Sequence, residues 1–332
     1  MYWTQDRTRI DRTTDPGTWW RTAYTDQPLI TQRDDGAQGG LGIASSSSSA
    51  PSVMARMLAA AHIEPGMRVL EVGTGYNAAL LSELLGSEHV TSVEIDPDLA
   101  DTARGVLHAA GYHPHVVLAD GENLPTDLAR HDHLISTCTV SHVPSPWLQR
   151  VSPGHIVTPW SPTPGAPGGV LATLRVPRCH LAEGKFEGAL SFMWARGQRG
   201  PATPAPPVDA RADRTGTCPG TYQALLDGEQ ALLLSLLVPE WAHGMRMAEG
   251  ATDPYVWVTS TRCSSWAHLH ADGRVEEAGP RHLAEELHVG AKGARGARVD
   301  DFGLSVDTTR GLHTVWVDAP QNALWGTRQT TT

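Results

Sequence analysis

The eleven residues LEVGTGYNAAL, Leu70–Leu80, constrain the fold of this 332-residue chain more than any other stretch. An apolar run that carries one acid, Glu71, passes through Gly73 and Gly75 and opens into a helix-forming sequence. Strand, glycine turn and helix in this order are typical of an α/β sheet that holds a nucleotide at the helix N-terminus. The stretch therefore predicts a nucleotide-binding loop and leaves open which nucleotide it holds.

Strand-like and helix-like segments alternate on both sides of this loop. Such βα repeats predict a parallel sheet with helices on both faces, and ligands bind at the carboxyl ends of its strands. The predicted fold class is therefore α/β, with a Rossmann-like sheet. The predicted strands are Arg68–Val72, His89–Glu94, His115–Ala119, His133–Thr137 and His155–Thr158.

Three acids fall at predicted strand ends: Glu71, Glu94 and Asp120. Gly73 and Gly75 begin a G-x-G-x-x-A pattern, and Glu94 lies about 20 residues further on, as in NAD-binding proteins. An acid just before the glycines, and no basic residue in the loop, instead suit a ligand with an amine and no phosphate. Asp120 with Gly121 has the spacing at which S-adenosylmethionine enzymes place an adenine-contacting acid. S-adenosylmethionine is favoured; NAD, another nucleotide, or a mere strand-to-helix corner stay open.

Composition excludes several partners. The net charge of −10 argues against a broad attraction to nucleic acid or an anionic membrane surface. No apolar run approaches the ~20 residues that cross a bilayer, and no signal segment opens the chain. The four cysteines form no C-x-x-C pair, so no metal site is predicted. We expect a cytoplasmic protein.

The serine run Ser45–Ser49 directly precedes a helix predicted over Pro51–Ile63. A run of this kind is typical of a flexible linker. Because it abuts a helix start with proline in the first position, a helix cap that contacts the ligand is the second interpretation.

Six short motifs recur in a fixed order along the first half of the chain. Together they resemble the protein-L-isoaspartate O-methyltransferase family from about Tyr24 to Pro159. The matching residues are Tyr24, Asp26, Pro28 and Leu29; Ser49-Ala50-Pro51 with Met54; VLEVGTGYNAALL; Asp120-Gly121; Val143-Pro144 with Trp147-Leu148; and Pro153-Gly154.

The resemblance implies S-adenosylmethionine as cofactor and a peptide or protein carrying aspartate or isoaspartate as substrate. Its implied cofactor-binding residues are Glu71 at the amino group, Gly73, Gly75 and Asn77 in the loop and helix start, Glu94 at the ribose, and Asp120 with Gly121 at the adenine. Asn77 is also a candidate helix cap.

Two residues are candidates for the acceptor side. Ser49, at a helix N-terminus where an anion is favoured, is expected to hydrogen-bond the acceptor carboxylate and is the first catalytic candidate; its alternative role is an ordinary N-cap. Asp26 is expected to shape the acceptor entrance or to anchor the N-terminal segment.

The stretch SSSSAPSVMARML and a long C-terminal part resemble a bacterial subgroup that acts on ribosomally made, modified peptides. There the methyl ester collapses to an aspartimide. General isoaspartyl repair, and a non-catalytic peptide-binding homologue, are the alternatives. The non-catalytic alternative is kept because the loop of this chain is two residues shorter than the family's E-x-G-x-G-x-G-Y loop.

Four parts are predicted: residues 1–50, an N-terminal segment with an acceptor-side loop; 51–197, the methyltransferase domain; 198–220, a linker; and 221–332, an α+β module. Within these parts, strands are predicted at Val170–Val176 and Leu190–Ala195 and a helix at Gln223–Leu237. The C-terminal module is expected to bind a precursor peptide, to mediate homodimer formation, or to cover a sheet edge.

Overall fold

The computed structural model describes residues 1–200, 204–207, 210–247 and 254–328. The chain divides into two compact units. The first comprises Met1–Cys138 and Gln149–Val157, and the second Thr139–Leu148 and Thr158–Thr332.

The first unit opens with a small antiparallel sheet in the order β2-β1-β3-β4. Its elements are β1 (Tyr2–Trp3), β2 (Arg9–Ile10), α1 (Pro16–Ala23), β3 (Leu29–Arg33) and β4 (Ala44–Ser48).

Strand β4 contains four of the five serines of the serine run. Ser48 pairs with Leu29 and Ser47 with Ile30. The flexible-linker interpretation of the run is therefore wrong, because its backbone is held in a sheet. Ser49, the last serine of the run, and Ala50 lie between the strand and the next helix.

The parallel sheet of the first unit has the order β9-β8-β5-β6-β7. All four residues of the central strand β5 are buried, as expected for a strand covered on both faces. The predicted Rossmann-like α/β fold class is confirmed. The elements are α2 (Pro51–Ala60), β5 (Val69–Val72), α3 (Tyr76–Leu85), β6 (Val90–Glu94), α4 (Pro97–Ala109), β7 (His115–Leu118), β8 (His133–Ser136), α5 (Ser145–Val151) and β9 (Gly154–Trp160).

Small side chains let α3 and α4 lie close to the sheet. Ala78 of α3 packs with Ala100, Ala103 and Leu107 of α4 and with Val116 of β7. Helix α4 starts sharply because the Asp96 side chain accepts a hydrogen bond from the Leu99 N–H at 3.1 Å and Pro97 follows the cap. This packing fixes the two strand ends, of β6 and β7, that flank the glycine loop.

The second unit contains helices and two antiparallel arrays of strands. One has the order β19-β18-β17-β11-β10 and the other β12-β16-β15-β14-β13. The elements are β10 (Val170–Arg178), β11 (Leu181–Ala189), β12 (Arg214–Thr217), α6 (Thr221–Leu226), α7 (Gly228–Leu237), β13 (Trp241–Arg246), β14 (Tyr255–Ser260), β15 (Trp266–Leu269), β16 (Arg274–Ala278), α8 (Leu283–Gly293), β17 (Phe302–Asp307), β18 (Leu312–Val317) and β19 (Ala323–Arg328).

Two predictions for this unit are wrong. The strand that follows β10 is β11 and not the predicted Leu190–Ala195, because the polar stretch Leu181–Ala189 pairs along β10. The helix predicted over Gln223–Leu237 is two helices, because the side chain of Asp227 accepts the Glu229 and Gln230 N–H groups and starts a new one. The predicted linker, residues 198–220, lies partly outside the described residues. No helix in the described ranges is both long and apolar enough to cross a membrane.

The buried His131 makes the stability of the first unit sensitive to acid. Burial, with a smaller contribution from the charge of Arg68, lowers the pKa of His131 to about 4. Its Nε2 lies 3.0 Å from the Thr91 hydroxyl. The unfolded chain binds a proton near pH 6.5 and the folded chain only near pH 4, so stability is lost as the pH falls through this window.

Between pH 7 and pH 5, we expect the free energy of unfolding to fall by about 2 kcal/mol less in His131→Gln than in the wild type. Urea unfolding of both proteins at the two pH values measures this. His113→Gln, on an exposed histidine, is the matched control and should lose as much as the wild type. An equal loss in the His131 variant would contradict the prediction.

Candidate functional site

The glycine loop joins the carboxyl end of β5 to the start of α3. Gly73 and Gly75 both have φ of 105°, a conformation that residues with a side chain avoid. A Cβ at Gly73 would also lie 2.1 Å from the Thr137 hydroxyl. Gly75 is the N-cap of α3, so the helix begins at Tyr76 immediately after the second glycine. The shortened loop is closed by an immediate helix start.

Glu71 lies directly beneath this loop and is fully buried. Its Oε1 accepts a hydrogen bond from Asn77 Nδ2 at 3.0 Å, and its Oε2 accepts one from the Ser92 hydroxyl at 3.1 Å. The same hydroxyl lies 2.7 Å from the Gly73 carbonyl oxygen. The Glu71 carboxyl group thus links β5 to α3 and to β6, and the Ser92 hydroxyl extends this network to the glycine loop.

Burial raises the pKa of Glu71 to about 8, although the hydrogen bonds from Asn77 and Ser92 lower it in part; the charge of Glu94 adds a small increase. The one Ser92 proton serves a single acceptor at a time, and the Gly73 carbonyl is the nearer one. A proton on Glu71 supplies the hydrogen for the contact between Glu71 Oε2 and the Ser92 hydroxyl oxygen. A protonated Glu71 agrees with its raised pKa.

Two buried polar atoms beside Glu71 have no hydrogen-bond partner among the described residues. They are the hydroxyl oxygen of Thr74 and Oδ1 of Asn77. An unpaired buried acceptor costs free energy, so both oxygens favour a ligand that donates hydrogen bonds. Asn77 is not the helix cap considered above, because Gly75 holds the cap position and the Asn77 amide reaches back to Glu71.

Glu94 and Asp120 lie at the ends of the next two strands. The Ala119 N–H donates to the Glu94 carbonyl oxygen at 3.0 Å, which holds these ends side by side. Glu94 Oε1 accepts from the Asp96 N–H at 2.9 Å. Asp120 Oδ1 accepts from the Glu122 N–H at 2.9 Å. Both carboxylates are half-buried at the sheet edge.

Gly121 provides clearance at the same edge. A Cβ on this residue would lie 2.5 Å from Cγ1 of Val72, the last residue of β5. The side chains gathered here are acidic or neutral. A diphosphate is a poor match, whereas amines and hydroxyls match three carboxyl groups.

Asp26 and Ser49 lie at the start of α2. Asp26 Oδ1 accepts a hydrogen bond from the Ser52 N–H at 2.9 Å, and this bond lowers the pKa of the carboxyl group. Asp26 therefore anchors the N-terminal segment on α2 and occupies an amide that was expected to favour an acceptor anion. The N-cap is Ala50 rather than Ser49. The half-buried hydroxyl of Ser49 makes no hydrogen bond with other described residues.

Two residues of this site escape the sequence interpretation. Ser92 lies inside a buried strand, and Thr137 follows β8 and packs on Gly73. A hydroxyl in an otherwise apolar strand was the available signal for Ser92, because a buried hydroxyl needs a partner. Thr137 gives no local signal, since its role depends on β5 and β8 being neighbours.

The sheet order and the glycine turn define a domain of the Rossmann-like α/β class, with a row of acids at one edge of its sheet. Residues 8–163 match the family model described as Protein-L-isoaspartate(D-aspartate) O-methyltransferase (PCMT). The matched residues make up slightly less than half of the chain.

Curated relatives carry the same family name. A protein-L-isoaspartate O-methyltransferase of Picosynechococcus sp. is 38% identical over 141 residues, which are 41% of this chain and 58% of the relative. One of Ignicoccus hospitalis is 42% identical over 122 residues, or 35% of this chain and 58% of the relative. The chain thus spans little more than half the length of these relatives.

Two solved structures are also similar. One protein-L-isoaspartate O-methyltransferase is 19% identical, with a TM-score of 0.49, covering 87% of this chain and 85% of that chain. One from Plasmodium falciparum, in complex with S-adenosyl-L-homocysteine, is 14% identical with a TM-score of 0.42, covering 52% of this chain and 81% of that chain.

The substitution Glu71→Gln tests how the ionisation of Glu71 affects the stability of the first unit. A carboxyl whose pKa is raised on folding stabilises fully below its unfolded pKa, and that stability is lost as the pH rises through about 8. We expect the glutamine variant to lose less stability than the wild type between pH 5 and pH 8, by on the order of a few kcal/mol.

Chemical denaturation at pH 5 and pH 8 measures this difference. Glu64→Gln, on an exposed carboxyl, is the control and should follow the wild type. Parallel pH dependence of the wild type and the Glu71 variant would show that Glu71 ionises in the folded chain as it does in solution.

Proposed function

We propose that this protein is an S-adenosylmethionine-dependent O-methyltransferase that methylates the side-chain carboxylate of an aspartate or isoaspartate in a peptide or protein. The observation that carries the proposal is the buried Glu71 network under the Gly73–Gly75 turn, in a segment of the isoaspartate methyltransferase family.

The residues at the carboxyl ends of β5, β6 and β7 fit this cofactor. Glu71 and the unpaired Asn77 oxygen accept from its amino group, and the glycine turn leaves room for its methionine part. Glu94 accepts from the ribose hydroxyls. Asp120 accepts from the adenine amine, with Gly121 providing clearance. When bound, the cofactor supplies a methyl group to an acceptor oxygen and leaves as S-adenosylhomocysteine.

The residues of the acceptor side position the substrate and transfer no proton. A free aspartate carboxyl has a pKa of about 3.9, so the acceptor is already an anion at pH 7 and needs no general base. Catalysis then depends on holding the carboxylate in one orientation. Ser49 donates its free hydroxyl to the acceptor carboxylate. Asp26 is a positioning residue, because it fixes the start of α2 through Ser52.

A more specific role is the maturation of a ribosomally made peptide. The resemblance of SSSSAPSVMARML to the peptide-associated subgroup supports it. In that chemistry the backbone amide nitrogen following the esterified aspartate attacks the ester carbonyl. Methanol leaves, and a five-membered aspartimide ring forms. General isoaspartyl repair shares the methylation step and differs in which carboxylate is presented.

Calorimetric titration with S-adenosylhomocysteine, with NAD as the comparison ligand, tests the cofactor. We expect micromolar affinity for S-adenosylhomocysteine and none for NAD. Glu94→Gln and Asp120→Asn should each weaken binding by about tenfold, because each loses a charge-assisted hydrogen bond worth roughly 1.4 kcal/mol or more. Binding of neither ligand would leave a non-catalytic homologue as the better description.

Ser49→Ala tests the acceptor side. We expect kcat for methyl transfer to fall by about ten- to a hundredfold, while the affinity for S-adenosylhomocysteine stays unchanged, because only the bond to the acceptor is lost. Mass spectrometry follows the ester at about +14 Da on an isoaspartyl or aspartyl peptide, and the aspartimide at about −18 Da. Ser264→Ala, at an exposed serine of the second unit, is the control and should retain activity. Equal activity of both variants would remove Ser49 from the mechanism.

A further inference from the structure

The hydrogen bonds around Glu71 fix the charge of its carboxyl group. The Ser92 hydroxyl donates to the Gly73 carbonyl oxygen at 2.7 Å, because a carbonyl oxygen can only accept. Glu71 Oε1 accepts from the Asn77 amide, and Oε2 lies 3.1 Å from the Ser92 oxygen. The hydrogen of this last contact therefore comes from Glu71, and the carboxyl group in this arrangement is a neutral acid.

The surroundings of Glu71 supply no positive charge that could balance its ionised form. Within the described ranges it makes no ion pair, and the charged group that acts on it is Glu94 of β6, which disfavours a second anion. The neutral Asn77 contacts it from α3, and Ile135 is its neighbour on β8. Because a buried carboxylate without a counter-charge is costly, the proton stays on Glu71 until a cation replaces it.

Acceptors for such a cation lie in the loop above Glu71. The hydroxyl oxygen of Thr74 and Oδ1 of Asn77 are buried, and neither has a hydrogen-bond partner in the part of the chain that the structure describes. A protonated amino group brings three N–H donors and one positive charge. Thr74, Asn77 and an ionised Glu71 offer acceptors to these donors, and Glu71 also offers the balancing charge. A neutral ligand group offers no charge in return and leaves the proton on Glu71.

We propose that Glu71 exchanges its proton for the cationic amino group of the cofactor and thereby selects ligands that carry this group. The O–H bond of the acid breaks, the proton passes to the solvent, and the carboxylate pairs with the ammonium group. The net charge beneath the loop stays at zero before and after the exchange. This inference rests on the proposed methyltransferase function and adds what determines specificity for the methionine end of the cofactor.

The first test counts the protons released during calorimetric titration of the wild-type protein with S-adenosylhomocysteine at pH 6.5. Binding enthalpies are compared in phosphate, PIPES and imidazole buffers, whose enthalpies of ionisation differ. We expect release of about one proton, because a group with a pKa of about 8 is almost fully protonated at this pH. Release of less than about 0.2 proton would overturn the proposal.

A ligand without the amino group is the control for this count. 5′-Methylthioadenosine keeps the nucleoside and the sulfur atom and lacks the amino-acid part of S-adenosylhomocysteine. We expect it to bind more weakly and to release no proton, because nothing replaces the proton of Glu71. Equal proton release by the two ligands would contradict the exchange.

The second test follows the affinity for S-adenosylhomocysteine from pH 6 to pH 9. Only the ionised form of Glu71 pairs with the ammonium group, so the wild-type affinity should rise about tenfold from pH 6 to pH 7 and level off above pH 8. Glu71→Gln cannot ionise. We expect this variant to bind more weakly than the wild type at pH 8, with an affinity that changes less than about twofold over the whole range.

Glu64→Gln, on an exposed carboxyl, is the matched control and should keep the wild-type slope. A wild-type affinity that stays constant between pH 6 and pH 8 would overturn the proposal. The proton count of the first test uses the wild type alone, so it decides the question even where Glu71→Gln fails to fold.

The outcomes separate this inference from the proposed function. Absence of S-adenosylhomocysteine binding at both pH 6.5 and pH 8.5 would reject the cofactor, and both proposals with it. Binding without proton release at pH 6.5 would retain the cofactor and reject the exchange at Glu71.

Discussion

The buried carboxyl group of Glu71 is the interaction on which the site in the first unit depends. It ties β5 to α3 through Asn77 and to β6 through Ser92, and Ser92 also reaches the carbonyl of Gly73. Burying a carboxyl is costly, and here the cost appears as a pKa raised to about 8. A fold that only needed to turn a corner after β5 would gain from an apolar residue instead. The proposed cofactor would offset this desolvation by placing a cationic amino group beside the acid.

The glycine turn and the strand-end acids are held in place by packing contacts between the same strands and helices. Gly73 packs on Thr137 beyond β8, and Gly121 packs on Val72 of β5. The small alanine contacts of α3 and α4 keep β6 and β7 in place beside the loop. Each of these groups is therefore positioned by backbone from a different βα unit, which is how a parallel sheet gathers distant residues at one edge.

The sequence predicted what depends on local pattern. The βα alternation, the loop and the strand-end positions of Glu94 and Asp120 follow from periodicity and spacing. Features that depend on contacts between distant parts of the chain could not be predicted from the local sequence. The serine run is a strand only because β3 lies beside it, and Asp227 divides a helix whose apolar surface is continuous around it. Ser92 and Thr137 matter through contacts across neighbouring strands, which no local window contains.

The close approach of Gly121 to Val72 limits how homologous sequences can diverge at these two positions. Unlike the two glycines of the loop, Gly121 does not have a positive φ, so space alone excludes a side chain there. Alanine at position 121 becomes acceptable once residue 72 is cut back to alanine, and not before. The two positions, distant along the chain, should drift as a compensating pair across homologous sequences, so that a single exchange at 121 is rare and the double exchange is tolerated.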